Sequence, residues 1–453
     1  MPSMVPPRLP RGMRDILPDK MIQRQYVEGV IREVFESFGF EPLSTPAVEL
    51  AETLMGKYGP EAEKLIYDVR HREGKEGLAL RYDLSVPLAR VAAMYPDLPR
   101  PFKRYQIAPV WRAERPQKGR FREFWQCDVD TVGTESVLAD AEILNVIYEV
   151  LRRLGFSRYV IRINNRKILK GIGRFVGLEG ELLAGLYRSI DKLDKIGLEG
   201  VSEELQRNGI PQAEIDRMMD LLRIQGDQAT VLAELRRLLA GEPEALAGIR
   251  ELEQLVAAVS DAGVPAENYQ VDFAMVRGLE YYTGPIFETV VEEPKIGSIT
   301  GGGRYDDLVG LFSKQSLPAT GTTIGIERII VVMDELGMYP PQLGKTVSQV
   351  LMAVFSQEML GESLRLASEL RRAGLRVEQY MGSKGMGDQI RYALKRGIPY
   401  VAIVGPDEAA AGRVVLRRLD HNVQQEVARD QAAAQIRRWM AGDGQAGSEE
   451  PER

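Results

Sequence analysis

Apolar positions along the chain change period several times, and those changes divide it. Met21, Tyr26, Val30, Ile31, Val34 and Phe35 recur at helical spacing, which predicts an amphipathic helix over residues 20–38. Gly39-Phe-Glu-Pro ends it, and an extended Leu43-Ser-Thr-Pro46-Ala-Val48 follows. From Leu78 to Asp130 the pattern gives short strand-like runs and one helix, Val86 to Met94. In the second arm of a hairpin over 103–131, Gln126, Asp128 and Asp130 alternate with Trp125, Cys127 and Val129. Polar groups on one side of a strand and apolar ones on the other predict a sheet with one face lining a cleft. A helix over about Val137–Leu154 carries Leu138, Ala141, Leu144, Ile147 and Leu151 on one side.

Residues 166–262 read as helical and rich in Leu, Ala, Arg and Glu, with no cluster of chemistry-bearing side chains. Strands are expected again at 269–290 and 297–303, then a loop, then a helix opening near Ile324. Met338-Tyr-Pro-Pro-Gln-Leu-Gly is a linker by composition. Beyond it come Val350–Phe355 (apolar), Glu358–Ala373 (helical), Arg376–Tyr380 (extended), Asp388–Arg396 (helical) and Tyr400–Gly405 (apolar). That alternation predicts a small α/β domain with a largely parallel sheet. Residues 442–453, rich in Gly, Glu and Pro, are expected to be disordered.

Composition narrows the class. At 453 residues the chain is long enough for two to four domains. No apolar run approaches the ~20 residues needed to span a bilayer. Met1 to Leu17 shows no apolar signal core, so a cytoplasmic protein with no membrane partner is expected. One cysteine, Cys127, rules out an intrachain disulfide, and two histidines, His71 and His421, cannot build a His-cluster metal site. Cys127 reads as a small buried hydrophobe. The net charge of −6 argues against wholesale coating of nucleic acid. Yet residues 100–123 hold eight Lys/Arg against two Glu, and residues 346–440 hold fourteen Lys/Arg against ten Asp/Glu. A basic segment inside an acidic chain suits one bound nucleotide or polyanion.

The basic segment has an order of its own: Arg112-Ala-Glu114, the loop Arg115-Pro-Gln-Lys-Gly, then Arg120, Phe124 and Asp128 at four-residue spacing. A guanidinium can fork onto phosphate and an aromatic face can stack on a base. This order resembles motif 2 of the class II aminoacyl-tRNA synthetases, and the loop resembles that of the histidyl-tRNA synthetases. Gly321-Thr-Thr-Ile-Gly325-Ile-Glu-Arg328 resembles motif 3, and Phe40-Glu-Pro-Leu-Ser-Thr-Pro46 resembles motif 1. Val276-Arg277-Gly-Leu-Glu-Tyr-Tyr282 and Gly301-Gly-Gly-Arg-Tyr305-Asp resemble the two peptides peculiar to the histidyl enzymes, and Leu80-Arg-Tyr-Asp83 the segment that receives the ammonium group. Each piece alone has a plainer reading: a surface arginine, a turn, a helix cap at Asp83. Their co-occurrence in family order over residues 11 to 330 carries the identification. Gly344-Lys-Thr is no phosphate loop, because position 339 is Tyr where such a loop needs Gly.

The resemblance implies an α+β catalytic domain built on the antiparallel class II synthetase sheet (1–165 and 263–337), a helical insertion (166–262), a linker (338–346) and a C-terminal α/β anticodon-binding domain (347–441). It implies a histidine–tRNA ligase that forms histidyl-adenylate and pyrophosphate from histidine and ATP, then charges the 3′-terminal adenosine of tRNA(His). By resemblance Arg112 takes the α-phosphate and the amino-acid carboxylate side, with Arg277 opposite it where other class II enzymes place a metal. Arg120 belongs to the ATP set, Arg328 meets the γ-phosphate, Phe124 stacks on adenine and Glu114 sits by its amino group. Asp130 and Tyr282 contact the imidazole, Gln126 and Asp83 hold the ammonium and carboxylate end, and Tyr305 closes the pocket. Some family members carry Glu where Asp83 and Asp130 stand here. Gln117 and Arg122 flank the loop that meets the tRNA acceptor end, where an extra 5′ guanosine is expected. Mg²⁺ on the ATP phosphates, no protein metal ligands and a homodimer through motif 1 complete the expectation. Two rival readings are a non-catalytic regulator of ATP phosphoribosyltransferase, which usually lacks the last domain and degrades the Arg277 peptide, and a class II synthetase for Thr, Pro or Gly.

Overall fold

The computed structural model describes residues 6–58, 63–224, 226–276 and 281–445. They form two compact units, one from Met1–Arg14 and Val27–Met338, the other from Asp15–Tyr26 and Tyr339–Arg453. Among the described residues no helix is long and apolar enough to cross a membrane.

The first unit is organised by an eight-stranded sheet. Its strands are β1 (Glu41–Pro42), β5 (Phe102–Trp111), β6 (Glu123–Val132), β7 (Tyr159–Asn165), β8 (Tyr269–Val271), β9 (Pro285–Val291), β10 (Thr300–Arg304) and β11 (Ala319–Ile324), in the spatial order β1-β5-β6-β11-β10-β9-β7-β8. The six central strands are antiparallel, and only the edge pairs β1/β5 and β7/β8 are parallel. A separate small sheet holds β2 (Val48–Leu50), β3 (Asp68–Val69) and β4 (Leu78–Leu80). The β5–β6 hairpin has ten consecutive pairs, closed by a tip at Gln117 and Arg120 whose backbones exchange hydrogen bonds of 3.1 and 2.9 Å. Gly119 sits at φ +70° in that tip, a conformation that favours glycine.

The helix Val137–Arg153 packs Ala141, Leu144, Ile147 and Leu151 inward, and Ser136 caps it by accepting the Leu138 N–H. Leu138 itself is 69% exposed, so it stands off the buried face to which its spacing assigns it. Arg304 at the end of β10 ties this helix to the sheet: it pairs with buried Asp140 at 2.5 Å and donates to the carbonyls of Thr134 and Ser136. Residues 166–261 contribute a run of helices from Arg166–Val176 to Pro243–Asp261, the last packed along the first.

Two local expectations fail. Strand structure does not run through 269–290: it breaks between β8 and β9. The segment before Ile324 is not a loop but β11, a central strand buried on both faces. Such a strand loses the alternation that betrays a half-exposed one.

The second unit holds a five-stranded sheet, β13 (Val377–Gln379), β12 (Val350–Met352), β14 (Tyr400–Ile403), β15 (Arg413–Arg418) and β16 (Val423–Ala428) in that order. β12 is parallel to both neighbours, but β14, β15 and β16 pair antiparallel, so the sheet is mixed rather than largely parallel. Val350 and Met352 point to a core shared with Leu366, Leu370 and Ile436, while Leu351 and Ala353 face Ala393 and Ile398. Two faces covered by helices give β12 its unbroken apolar run.

Candidate active site

Register across the large sheet lays out the site. One row runs Arg104, Asp130, Gly321, Gly303 and Ile286; the next runs Gln106, Asp128, Thr323, Gly301 and Glu288. Glycine is required where these rows come close. A Cβ at Gly321 would stand 2.0 Å from Asp130 Oδ1, and one at Gly302 would stand 2.2 Å from the Gly321 carbonyl. At Gly301 a Cβ would meet nothing within 4 Å, so this residue floors open space. That space is a cavity of about 430 Å³.

Arg112, Glu114, Arg120, Phe124 and Arg328 of the expected nucleotide set line the cavity, as do Asp83, Gln126, Asp130, Tyr282 and Tyr305 of the expected amino-acid set. Gln117 and Arg122 do not line it. Gln117 is exposed at the hairpin tip, and Arg122 donates to the backbone carbonyls of Glu114 and Arg11. Arg277 lies outside the described residues.

The amino-acid end is buried and internally bonded. Asp83 Oδ1 accepts from the Tyr58 hydroxyl at 2.9 Å and from the Val86 N–H at 3.0 Å, so it caps the helix Ser85–Met94 and lines the cavity at once. Its Oδ2 has no hydrogen-bond partner among the described residues, and burial pushes its carboxyl above the usual range. The segment carrying it is pinned by Arg81, which donates to the carbonyls of Thr45 and Pro109. Asp130 accepts from the Tyr305 hydroxyl, and Arg104 Nη2 lies 2.8 Å from its Oδ2, in an ion pair too far off axis for a hydrogen bond. Burial likewise raises Asp130. Asp128 is pushed up to about 7, by burial first and by the neighbouring Asp130 carboxylate second. Tyr281 and Tyr282 pack edge to face 4.9 Å apart, with Tyr281 also against Tyr305 at 5.8 Å.

The nucleotide end is more open. Arg112 donates from Nε to the Tyr82 carbonyl at 3.1 Å, and its guanidinium lies 4.3 Å from the Tyr82 ring centre and 5.2 Å from that of Phe124. Arg120 pairs with Glu114 at 2.7 Å. Arg328 donates to the Ser298 carbonyl, and Glu327 accepts from Arg14 and from the Trp125 N–H. Arg14 also lies over Phe121, 3.7 Å from the ring centre.

Several participants escape sequence reasoning. Tyr58, Arg104, Thr323 and Arg14 reach the site from distant segments, and only the fold brings them there. Asp128 does announce itself, through its alternation with Gln126 and Asp130, but nothing in the pattern gives it a partner.

Comparison with known proteins bears on the family. A family model described as histidyl-tRNA synthetase matches residues 12–329, and one described as an anticodon binding domain matches residues 349–439. Histidine–tRNA ligases from Aeropyrum pernix and Gloeobacter violaceus are 45% and 42% identical, covering 90% and 92% of this chain and 93% and 95% of their own. The crystal structure of histidyl-tRNA synthetase from Nostoc sp. PCC 7120 superposes with a TM-score of 0.85 at 35% identity, over 96% of this chain and all of that one. A Bacillus halodurans structure titled as an ATP phosphoribosyltransferase regulatory subunit/histidyl-tRNA synthetase shares the fold, at 23% identity and a TM-score of 0.72.

Proposed function

The chain belongs to the histidyl-tRNA synthetase family, and from that premise we propose how its cavity divides the work of a histidine–tRNA ligase. The ligase joins histidine to ATP as histidyl-adenylate, releases pyrophosphate, and passes histidine to the 3′-terminal adenosine of tRNA(His). Bringing a carboxylate to a phosphate crowds two anions, so the reaction needs fixed positive charge more than a proton donor. Arg112 meets the α-phosphate, Phe124 stacks on adenine with Glu114 at its amino group, Arg120 supports the same end, and Arg328 takes the γ-phosphate. Arg277 is the second guanidinium on the reacting phosphorus, a role that rests on its sequence peptide alone. Holding the carboxylate in line supplies the rest of the acceleration.

At the other end Asp83 and Gln126 receive the histidine ammonium, and Asp130 and Tyr282 pair with the imidazole, with Tyr305 behind Asp130. A slot with polar partners rejects ligands that leave those partners unpaired. Mg²⁺ arrives on the ATP phosphates, and Glu114 and Glu327 are paired with Arg120 and Arg14. Gln117 and Arg122 meet the tRNA acceptor end outside the cavity, and residues 347–441 read the anticodon. The functional unit is a cytoplasmic homodimer through motif 1, and just beyond that segment Val48 and Leu50 leave apolar side chains exposed.

One observation carries this reading. The buried acceptors Asp83 Oδ2 and Gln126 Oε1, which have no protein hydrogen-bond partner among the described residues, belong to the same cavity as an arginine set between two aromatic rings. ATP–pyrophosphate exchange with each of the twenty amino acids tests it. Exchange with histidine alone is expected; exchange with none, or with another amino acid, removes the assignment.

A further inference from the structure

Gln126 has an amide with one accepting and one donating end, and the end it shows the cavity decides what it can bind. An ammonium carries three N–H donors and no acceptor, so only the carbonyl end serves. Gln126 Nε2 lies 3.0 Å from Thr323 Oγ1, and Thr323 Oγ1 lies 2.6 Å from Asp128 Oδ1. Asp128 and Thr323 are cross-strand partners in the β6–β11 register, and Gln126 shares the Asp128 face. All three line the cavity.

The direction of this chain follows from the inventory of its groups. At pH 8, where the Asp128 carboxyl is ionised and the exchange assay is run, it only accepts, so the single hydroxyl proton of Thr323 goes to Asp128. The Thr323 oxygen must then accept, so the neighbouring Gln126 atom is the donating nitrogen. Gln126 Oε1 is left as a buried acceptor with no protein partner among the described residues. Resting on the reading of Gln126 as an ammonium ligand, we infer that Asp128 and Thr323 are positioning residues: through one fixed chain of hydrogen bonds they hold the Gln126 amide with its carbonyl toward the ammonium of histidine. Without the hydroxyl the amide loses its anchor and can turn its NH₂ toward the cation.

The test uses the full chain with Thr323→Val and Thr323→Ser, read by the KM values for histidine and ATP in pyrophosphate exchange. It also uses competition by histidinol, which keeps ring and ammonium, and by 3-(imidazol-4-yl)propionate, which keeps ring and carboxylate but has no ammonium. Losing one hydrogen bond to a charged group corresponds to about a tenfold to hundredfold loss of affinity. Thr323→Val is expected to weaken histidine and histidinol by that factor, while ATP and the propionate stay within about twofold. Thr323→Ser is expected to keep the wild-type pattern. A valine variant with wild-type histidine KM overturns the inference, as does equal weakening of the propionate, which would mean a deformed slot. A serine variant as weak as valine overturns it too. Should the valine variant not fold, Asp128→Asn carries the test: its amide can donate to Thr323 and frees the chain to reverse, so histidine should weaken by about threefold to tenfold with ATP unchanged. Unchanged histidine affinity there rejects the inference. If the wild-type protein itself shows no histidine-dependent exchange, the site reading fails, and that outcome is distinct from all of these.

Discussion

The two ends of the cavity are built on opposite principles. At the amino-acid end Asp83, Gln126, Asp128, Asp130 and Tyr305 are all buried, and each accepts from or donates to a residue on another segment. At the nucleotide end Arg112, Glu114 and Arg120 stand on the connection between β5 and β6 and Arg328 on the helix after β11, and the Arg120 side chain keeps 46% of its surface in solvent. Buried, prebonded groups cannot adapt, so they select; exposed guanidinium groups exchange partners at little cost, so they grip and release a polyanion. If that contrast is right, substitutions at the two ends should separate selectivity and stability from rate.

The largest effect is expected at Arg112. Replacing it with alanine removes a charge that matters most when the α-phosphorus is attacked, so single-turnover adenylate formation should fall on the order of 10³-fold. Equilibrium binding of histidine, whose carboxylate side Arg112 also meets, should weaken far less than the rate, and the melting temperature should change little, because among the described residues Arg112 anchors to protein only through the Tyr82 carbonyl and two ring faces. Loss of histidine binding by the same factor would erase the distinction between the ends.

Asp130→Ala should act in the other direction. It leaves Arg104, fully buried, beside an empty position, with its Nε and Nη1 already lacking hydrogen-bond partners among the described residues. Removing one member of a buried pair costs about 3–5 kcal/mol, visible as a lower midpoint in urea unfolding with an unchanged slope. Histidine affinity should fall with it and ATP affinity should not. An unfolding midpoint equal to that of wild type would show that Arg104 finds other compensation.

The same contrast marks what the sequence could disclose. The cavity face of β6 is readable because Gln126, Asp128 and Asp130 alternate with apolar neighbours, and Arg112-Ala-Glu114 through Phe124 carries its own order. Thr323 is not readable as a partner of Asp128: 195 residues separate them, and β11, buried on both faces, shows no alternation. Tyr58 and Arg104 are equally silent, since an isolated tyrosine or a strand arginine has many plainer uses. In the second unit β12 is evident from its apolar run, whereas β16, with its largely exposed Gln-Gln-Glu segment, gives no hydrophobic signal. Local pattern reveals elements with one wet face or an unbroken apolar run; pairings that depend on register between distant strands appear only in the fold.

A pH experiment probes the burial of acids directly. The Asp128 carboxyl rises to about 7 in the folded chain from an ordinary value of 3.8, so between those values the folded state binds more protons than the unfolded one. Stability contributed by this group is therefore present at low pH and lost as pH climbs through roughly 4 to 7. Asp128→Asn has no such proton to lose. At pH 8 it should be more stable than wild type by on the order of 2–4 kcal/mol, with the gap closing toward pH 4. A gap that stays constant across that range would mean Asp128 is not the group that titrates.

The smallest effect should come from Glu114→Gln, and its smallness is informative. Glu114 and Arg120 form a close pair on paper, yet with Arg120 nearly half in solvent such a pair contributes less than about 1 kcal/mol, and less again as salt is raised. Melting should therefore scarcely move. The KM for ATP should rise only modestly, because a neutral amide still offers an acceptor to an adenine amino group while freeing Arg120 to meet phosphate. Two opposed changes of similar size then nearly cancel. Measuring the KM for ATP against that for GTP separates them: the freed Arg120 acts on both nucleotides, whereas the acceptor at position 114 serves only a base with an amino group in the adenine position. A variant that loses ATP and GTP equally would place Glu114 away from the base.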